Sequence, residues 1–180
     1  MNCIYPILYY ILFIPLLGIL KVTAKDIYID NKNYYDLKNI INRNQENDVL
    51  KIFFVDDHYD MTIFPHSTDI TITTNVIMSG KKNGTIFDYK NDGKGRLVFS
   101  FTNNNKNPIL KFENIIFENY NPSGITNVEI IVIFSQTDNF ILIFDHCTFQ
   151  NNYYRVFRSF FTCNKQSHSE PLFLFNNCNF

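Results

Sequence analysis

The chain has 180 residues, 46% of them hydrophobic and 17% aromatic, which is enough apolar material for the core of one ordinary domain. Its formal net charge of -1 excludes the basic footprint of a nucleic-acid binder and supplies no acidic field for cationic partners. Asn, Ile and Phe are heavily used while Trp is absent, a bias that points to no chemistry by itself.

Residues 3–20, "CIYPILYYILFIPLLGIL", form an apolar run, and the "VTA" that follows Lys21 has the small-residue pattern of a signal-peptidase site. The expectation is cleavage after Ala24 and a soluble, secreted, extracellular product. The run is also long enough to span a bilayer, so membrane anchoring by an uncleaved segment is the alternative. Cleavage removes Cys3 and leaves Cys147, Cys163 and Cys178, an odd set whose disulfide state stays open. Asn83-Gly84-Thr85 is a usable glycosylation sequon, whereas Pro122 spoils the one that begins at Asn121.

After the leader, Tyr34, Leu37, Ile40 and Ile41 recur at helical spacing, with Asp30 or Asn31 as the expected N-cap. From Leu50 the pattern changes to short apolar or alternating runs, "LKIFFV", "ITITTNVIM", "GTIFDY" and "RLVFSF", separated by turn-forming residues. The organisation read from this is a signal peptide at 1–24, a cap segment with a helix at 25–49, and strand-rich rungs at 50–180.

One phrase then occurs three times, as "ILKFENIIFEN" from Ile109, "ILIFDHCTFQN" from Ile141 and "LFLFNNCNF" from Leu172. Phe112, Phe144 and Phe175 fall in one column, Ile115, Cys147 and Cys178 in a second, and Phe117, Phe149 and Phe180 in a third. A second strand type, "RLVFSF", "VEIIVIFS" and "RVFRSFF", lies between the copies. A helix-free unit of about 32 residues that recurs in this way is the signature of an all-β solenoid with stacked rungs. The three columns are expected to point inward, with Cys147 and Cys178 acting as small apolar filler. The break in alternation falls at Asn114, His146 and Asn177, where a tight corner changes the sheet. Their side chains are expected to stack and bond to one another up the solenoid.

The pattern F-(E/D/N)-(N/H)-(I/C)-x-F after an apolar strand resembles the rungs of the right-handed parallel β-helix, the pectin-lyase-like family. The helix at Tyr34 to Ile41 resembles the amphipathic cap of that fold, and "TDITITTNVIMSG" resembles one of its early coils. The copy that stops at Phe180 suggests a truncated member with an uncapped C-terminal end and a tendency to self-associate through its last rung.

The resemblance implies that an enzyme of this kind would degrade polysaccharide with a ladder of aspartates and a nearby Arg or Lys. No such ladder is read in neighbouring copies, although Arg96 and Arg155 are placed in equivalent columns. The cluster "DDHYD", Asp56 to Asp60, could hold Ca²⁺ or an acid/base pair, but it lacks Ca²⁺-loop spacing and reads better as a solvated turn. His58, His66, His146 and His168 show no metal-ligand spacing. The expectation is therefore a non-catalytic structural or adhesive protein, without a cofactor or metal, that binds carbohydrate or protein at a cell surface. The alternatives are a truncated polysaccharide lyase or glycoside hydrolase, and the N-terminal ectodomain piece of a membrane receptor.

Overall fold

The computed structural model describes residues 22–102, 107–123, 129–163 and 171–180. The leader, and with it the reading of 1–24, falls almost wholly outside these residues, as does His168. The described chain is a parallel β-solenoid of about four turns whose strands form three sheets. Sheet A, of six strands, runs β1 (Ala24–Ile29), β2 (Val49–Phe54), β5 (Asn75–Ser79), β8 (Ile109–Glu113), β11 (Ile141–Asp145), β14 (Phe173–Asn176). Sheet B stacks β3 (His58–Asp60), β6 (Thr85–Asp92), β9 (Ile115–Tyr120) and β12 (Thr148–Gln150). Sheet C stacks β4 (Ser67–Ile72), β7 (Arg96–Phe101), β10 (Ile131–Ser135) and β13 (Phe157–Phe160).

Each turn visits A, B and C in that order, so the repeated phrase contributes one strand to A and one to B. Alternation sets the sidedness: Leu110, Phe112, Ile115 and Phe117 are buried, whereas Lys111, Glu113 and Glu118 face outward. Register then places like above like. Phe112 pairs with Phe144 and Phe144 with Phe175, and their rings stack at 5.1 and 4.9 Å. Phe117, Phe149 and Phe180 form a second stack at 5.1 and 5.2 Å. Such stacks add to area burial because parallel in-register strands keep identical rings at contact distance along the axis.

Not every member of these columns is buried. Phe175 is 36% exposed and Phe180 78%, because they belong to the outermost described rung and nothing described lies above them. Cys147 is buried and donates to the Phe112 carbonyl at 3.5 Å, and Cys178 repeats that bond to Phe144 at 3.4 Å. Burial pushes the Cys147 thiol up to about 12, so at neutral pH it is a protonated filler of the core.

The corner column works differently from the expected side-chain ladder. Asn114, His146 and Asn177 all have positive φ, 55°, 53° and 51°, the left-handed region that Asn and His enter more readily than most residues. Among the described residues no hydrogen bond joins their side chains; the ladder is made by the backbone, Asn114 N to Asp145 O at 3.0 Å and His146 N to Asn176 O at 2.9 Å. The polar identities answer a torsion requirement, not a need for stacked amides.

At the other end a strand precedes the cap, since β1 pairs along its whole length with β2 and was not expected from the sequence. The helix follows as a 3-10 turn at Tyr34–Asp36 and α1 at Leu37–Arg43, burying Tyr34, Leu37 and Ile41 over the end of the core. Asp30 serves as a turn residue, not as the helix cap: its carboxylate accepts from the Lys32 and Asn33 amides at 2.9 and 3.1 Å. Side chains then close the free edge of sheet C. Asn42 accepts from Thr71 N at 3.0 Å, while Gln45 donates to Thr71 O and accepts from Thr73 N, both at 2.7 Å. Tyr34 likewise donates its hydroxyl to Asp60 O at the edge of sheet B. Amide and phenol groups thus replace the missing neighbouring strand.

Candidate functional site

The outer faces of sheets A and B carry two in-register polar columns. On sheet A the column runs Tyr28, Phe53, Ser79, Glu113, Asp145, Asn176. Tyr28, 61% exposed, stacks on Phe53 at 5.4 Å, giving an aromatic step at the start of a carboxylate-rich wall. Lys111 sits between the two acids, 2.7 Å from Glu113 and 2.8 Å from Asp145. Ser79 donates to Glu113 at 3.1 Å and Asn176 to Asp145 at 2.9 Å. The Lys111 bond holds the Asp145 carboxyl below the ordinary aspartate range despite its burial.

On sheet B the column is Asp60, Asp88, Glu118, Gln150. This is a ladder of acids that begins before the repeated phrase, only Glu118 and Gln150 of it lying in the copies. Lys90 and the Thr62 hydroxyl both bond Asp60 at 2.6 Å. Asp88 receives Asn119 at 2.9 Å and lies 3.2 Å from His58, and Glu118 receives Gln150 at 2.6 Å. Burial opposes ionisation of Asp60 and Asp88, but these bonds more than offset it and leave both pKa values lowered. The sequence signal was an acid or amide directly after an inward aromatic: Tyr59-Asp60, Phe87-Asp88, Phe117-Glu118 and Phe149-Gln150.

The "DDHYD" cluster does not converge on a point. Asp56 accepts from Asn31 N at 2.7 Å, Asp57 pairs with Lys81 at 2.7 Å, and Asp60 turns to Lys90. Tyr59 points inward, donating its hydroxyl to Ile29 O at 2.6 Å. Among the described residues no group of three or more His, Cys, Asp or Glu is placed to hold a metal ion. Arg96 and Arg155 are not equivalent either. The pairing of Ile131 with Leu97 and with Phe157 puts Arg96 beside Ile130 and Arg155 beside Glu129, one position apart. Arg155 and Arg158 instead flank the buried Glu129 carboxylate at 3.6 and 3.5 Å.

Two of the clefts among the described residues lie at the C-to-A and B-to-C corners. One, of about 350 Å³, is lined by Gln45, Thr74, Asn75 and neighbours at the C-to-A corner. Several of its polar groups are engaged with backbone, as when Asn75 accepts from Ile109 N at 2.9 Å and Thr74 donates to Asp48 O at 2.6 Å. The other, of about 390 Å³, lies at the B-to-C corner between Asn91, Asn119, Asn151, Asn152 and Tyr153. Asn83 is exposed, in a turn closed by the bond from Gly84 N to Lys81 O at 2.8 Å.

No protein-family model, curated protein or solved structure matches the chain. Its chemistry has to be read from these faces.

Proposed function

We propose that this chain is a non-catalytic binding protein of the right-handed, pectin-lyase-like kind, secreted or displayed at a cell surface, that adheres to carbohydrate or protein along the outside of its solenoid. The carrying observation is that the acids of both outer columns are held in lateral networks with Lys, Asn, Gln, Ser or Thr. A general base or nucleophile needs a reacting geometry that such networks occupy, whereas a flat recognition wall gains rigidity from them. The step of exposed Tyr28 on half-buried Phe53 adds the amphipathic surface on which partners are commonly held. A glycan at the exposed Asn83 would project from the A-to-B turn and leave the B-to-C corner open.

The test is to incubate purified secreted chain with a polysaccharide panel and read retention and product release together. Retention without new reducing ends or unsaturated uronides is the expected result. Release of either product would replace this reading with a polysaccharide-degrading enzyme.

A further inference from the structure

The B-to-C corner repeats a single side chain where the A-to-B corner does not. Asn91, Asn119 and Asn151 adopt φ of 59°, 61° and 54°, and the cleft opens beside them. The A-to-B corner shows that the same torsion is met by His146 as well as by Asn. The torsion alone therefore does not require an amide at each rung.

The amides differ in what they do inside the protein. Asn119 donates to Asp88 at 2.9 Å and Asn152 to Phe117 O at 2.9 Å, so both are fixed in place. Asn91 and Asn151 are exposed, and their side chains have no hydrogen-bond partner among the described residues. Tyr153, 73% exposed, stands beside them with its backbone tied to Tyr120 O at 3.0 Å. The groove thus offers anchored amides, free amides and one accessible aromatic ring.

We propose that this groove binds a neutral, hydroxyl-rich oligosaccharide that runs along the solenoid axis, with Asn91 and Asn151 pairing to sugar hydroxyls and Tyr153 packing against a ring. An amide supplies both donors and acceptors, which suits hydroxyls that are themselves both. Rungs repeat at about 4.8 Å, close to the advance of one sugar along an extended glycan, so successive sugars meet successive corners. Charge selects against acidic glycans, because Asp88 and Glu118 form the adjoining wall and are bound to Asn119 and Gln150. The inference rests on the binding role proposed above and narrows it to one ligand class and one corner.

The experiment measures binding of the full chain to cellohexaose, xylohexaose, mannohexaose, chitohexaose and polygalacturonate by titration calorimetry. Asn151→Gly keeps the left-handed torsion while removing the amide, and Tyr153→Ala removes the ring. Each should weaken binding of a neutral hexasaccharide at least tenfold without moving the melting temperature, while Asn114→Gly at the other corner should leave it unchanged. Undiminished neutral binding in both groove variants would overturn the groove yet leave the binding role standing. Preference for polygalacturonate would overturn the charge argument. Absence of binding to every saccharide would overturn this proposal and remove carbohydrate from the broader one, leaving a protein partner.

Discussion

The A-to-B and B-to-C corners of the later rungs solve one backbone problem in two ways. From A to B, the chain turns on a single left-handed residue, Asn114, His146 or Asn177, and the climbing bonds are made by amide N–H and carbonyl groups. From B to C, Asn91, Asn119 and Asn151 hold a similar torsion beside an open cleft, and their side chains range from bonded to free. The contrast teaches that a polar residue in a corner column is explained first by torsion. Only an amide that persists beside accessible space calls for a second explanation.

Phe117 lies between the two corners of its rung, buried and in ring contact with Phe87, Phe112, Phe144 and Phe149. Phe117→Ala should therefore damage both corners together, costing about 3–5 kcal/mol in urea denaturation. A loss under 1 kcal/mol would mean that the aromatic stacks are not what aligns the rungs. A smaller effect separates torsion from side chain. Asn114→Val should cost about 1–2 kcal/mol from the left-handed penalty, whereas Asn114→Gly should change stability by much less. Equal losses for Val and Gly would restore the side-chain ladder as the cause.

Much of this architecture was legible because inward aromatic and aliphatic residues recur with the repeat, so Phe112, Phe144 and Phe175 named their own column. The ladder of Asp60, Asp88 and Glu118 was not, because rung length changes along sheet B and defeats simple alignment. The register shifts between Asp88 and Asp92, where Lys90 and Asn91 both have positive φ and the strand holds two residues more than its partner in the next rung. Strand β1 was missed for a different reason. Its residues, Ala24 to Ile29, adjoin an apolar leader whose cleavage pattern dominates the local signal, and pairing with β2 is a long-range fact.

Outside the corners, Lys111 links the acids of sheet A. Replacing it with Met should cost about 1 kcal/mol at neutral pH by leaving Glu113 and Asp145 uncompensated. The sign of the pH dependence follows from the shifts. The Asp145 pKa is lowered, so its contribution is fully present above the unfolded value of about 3.9 and is lost as pH falls through the folded one. Burial opposes the Lys111 ammonium, yet its bonds to Asp145 and Glu113 raise its pKa. Its contribution is therefore full below about 10.4 and lost as pH rises through the folded value. The gap in melting temperature between wild type and Lys111→Met should shrink at both extremes, and a gap constant with pH would show that Lys111 acts through packing.

The smallest expected effect lies within the B-to-C corner and sharpens the comparison most. Glycine is compatible with the torsion at both Asn119 and Asn151, so a difference between the two replacements reports the side chain alone. Asn119 ties Asp88 of one rung to Glu118 of the next, and Asn119→Gly should cost about 1 kcal/mol. Asn151 ties nothing among the described residues, and Asn151→Gly should stay within about 0.5 kcal/mol of wild type. Paired urea curves with common slopes make the measurement, because a common slope keeps the surface exposed on unfolding fixed. If Asn151→Gly proved as costly as Asn119→Gly, its amide would be serving the fold, and the case for keeping it free to meet a sugar would fall with that result.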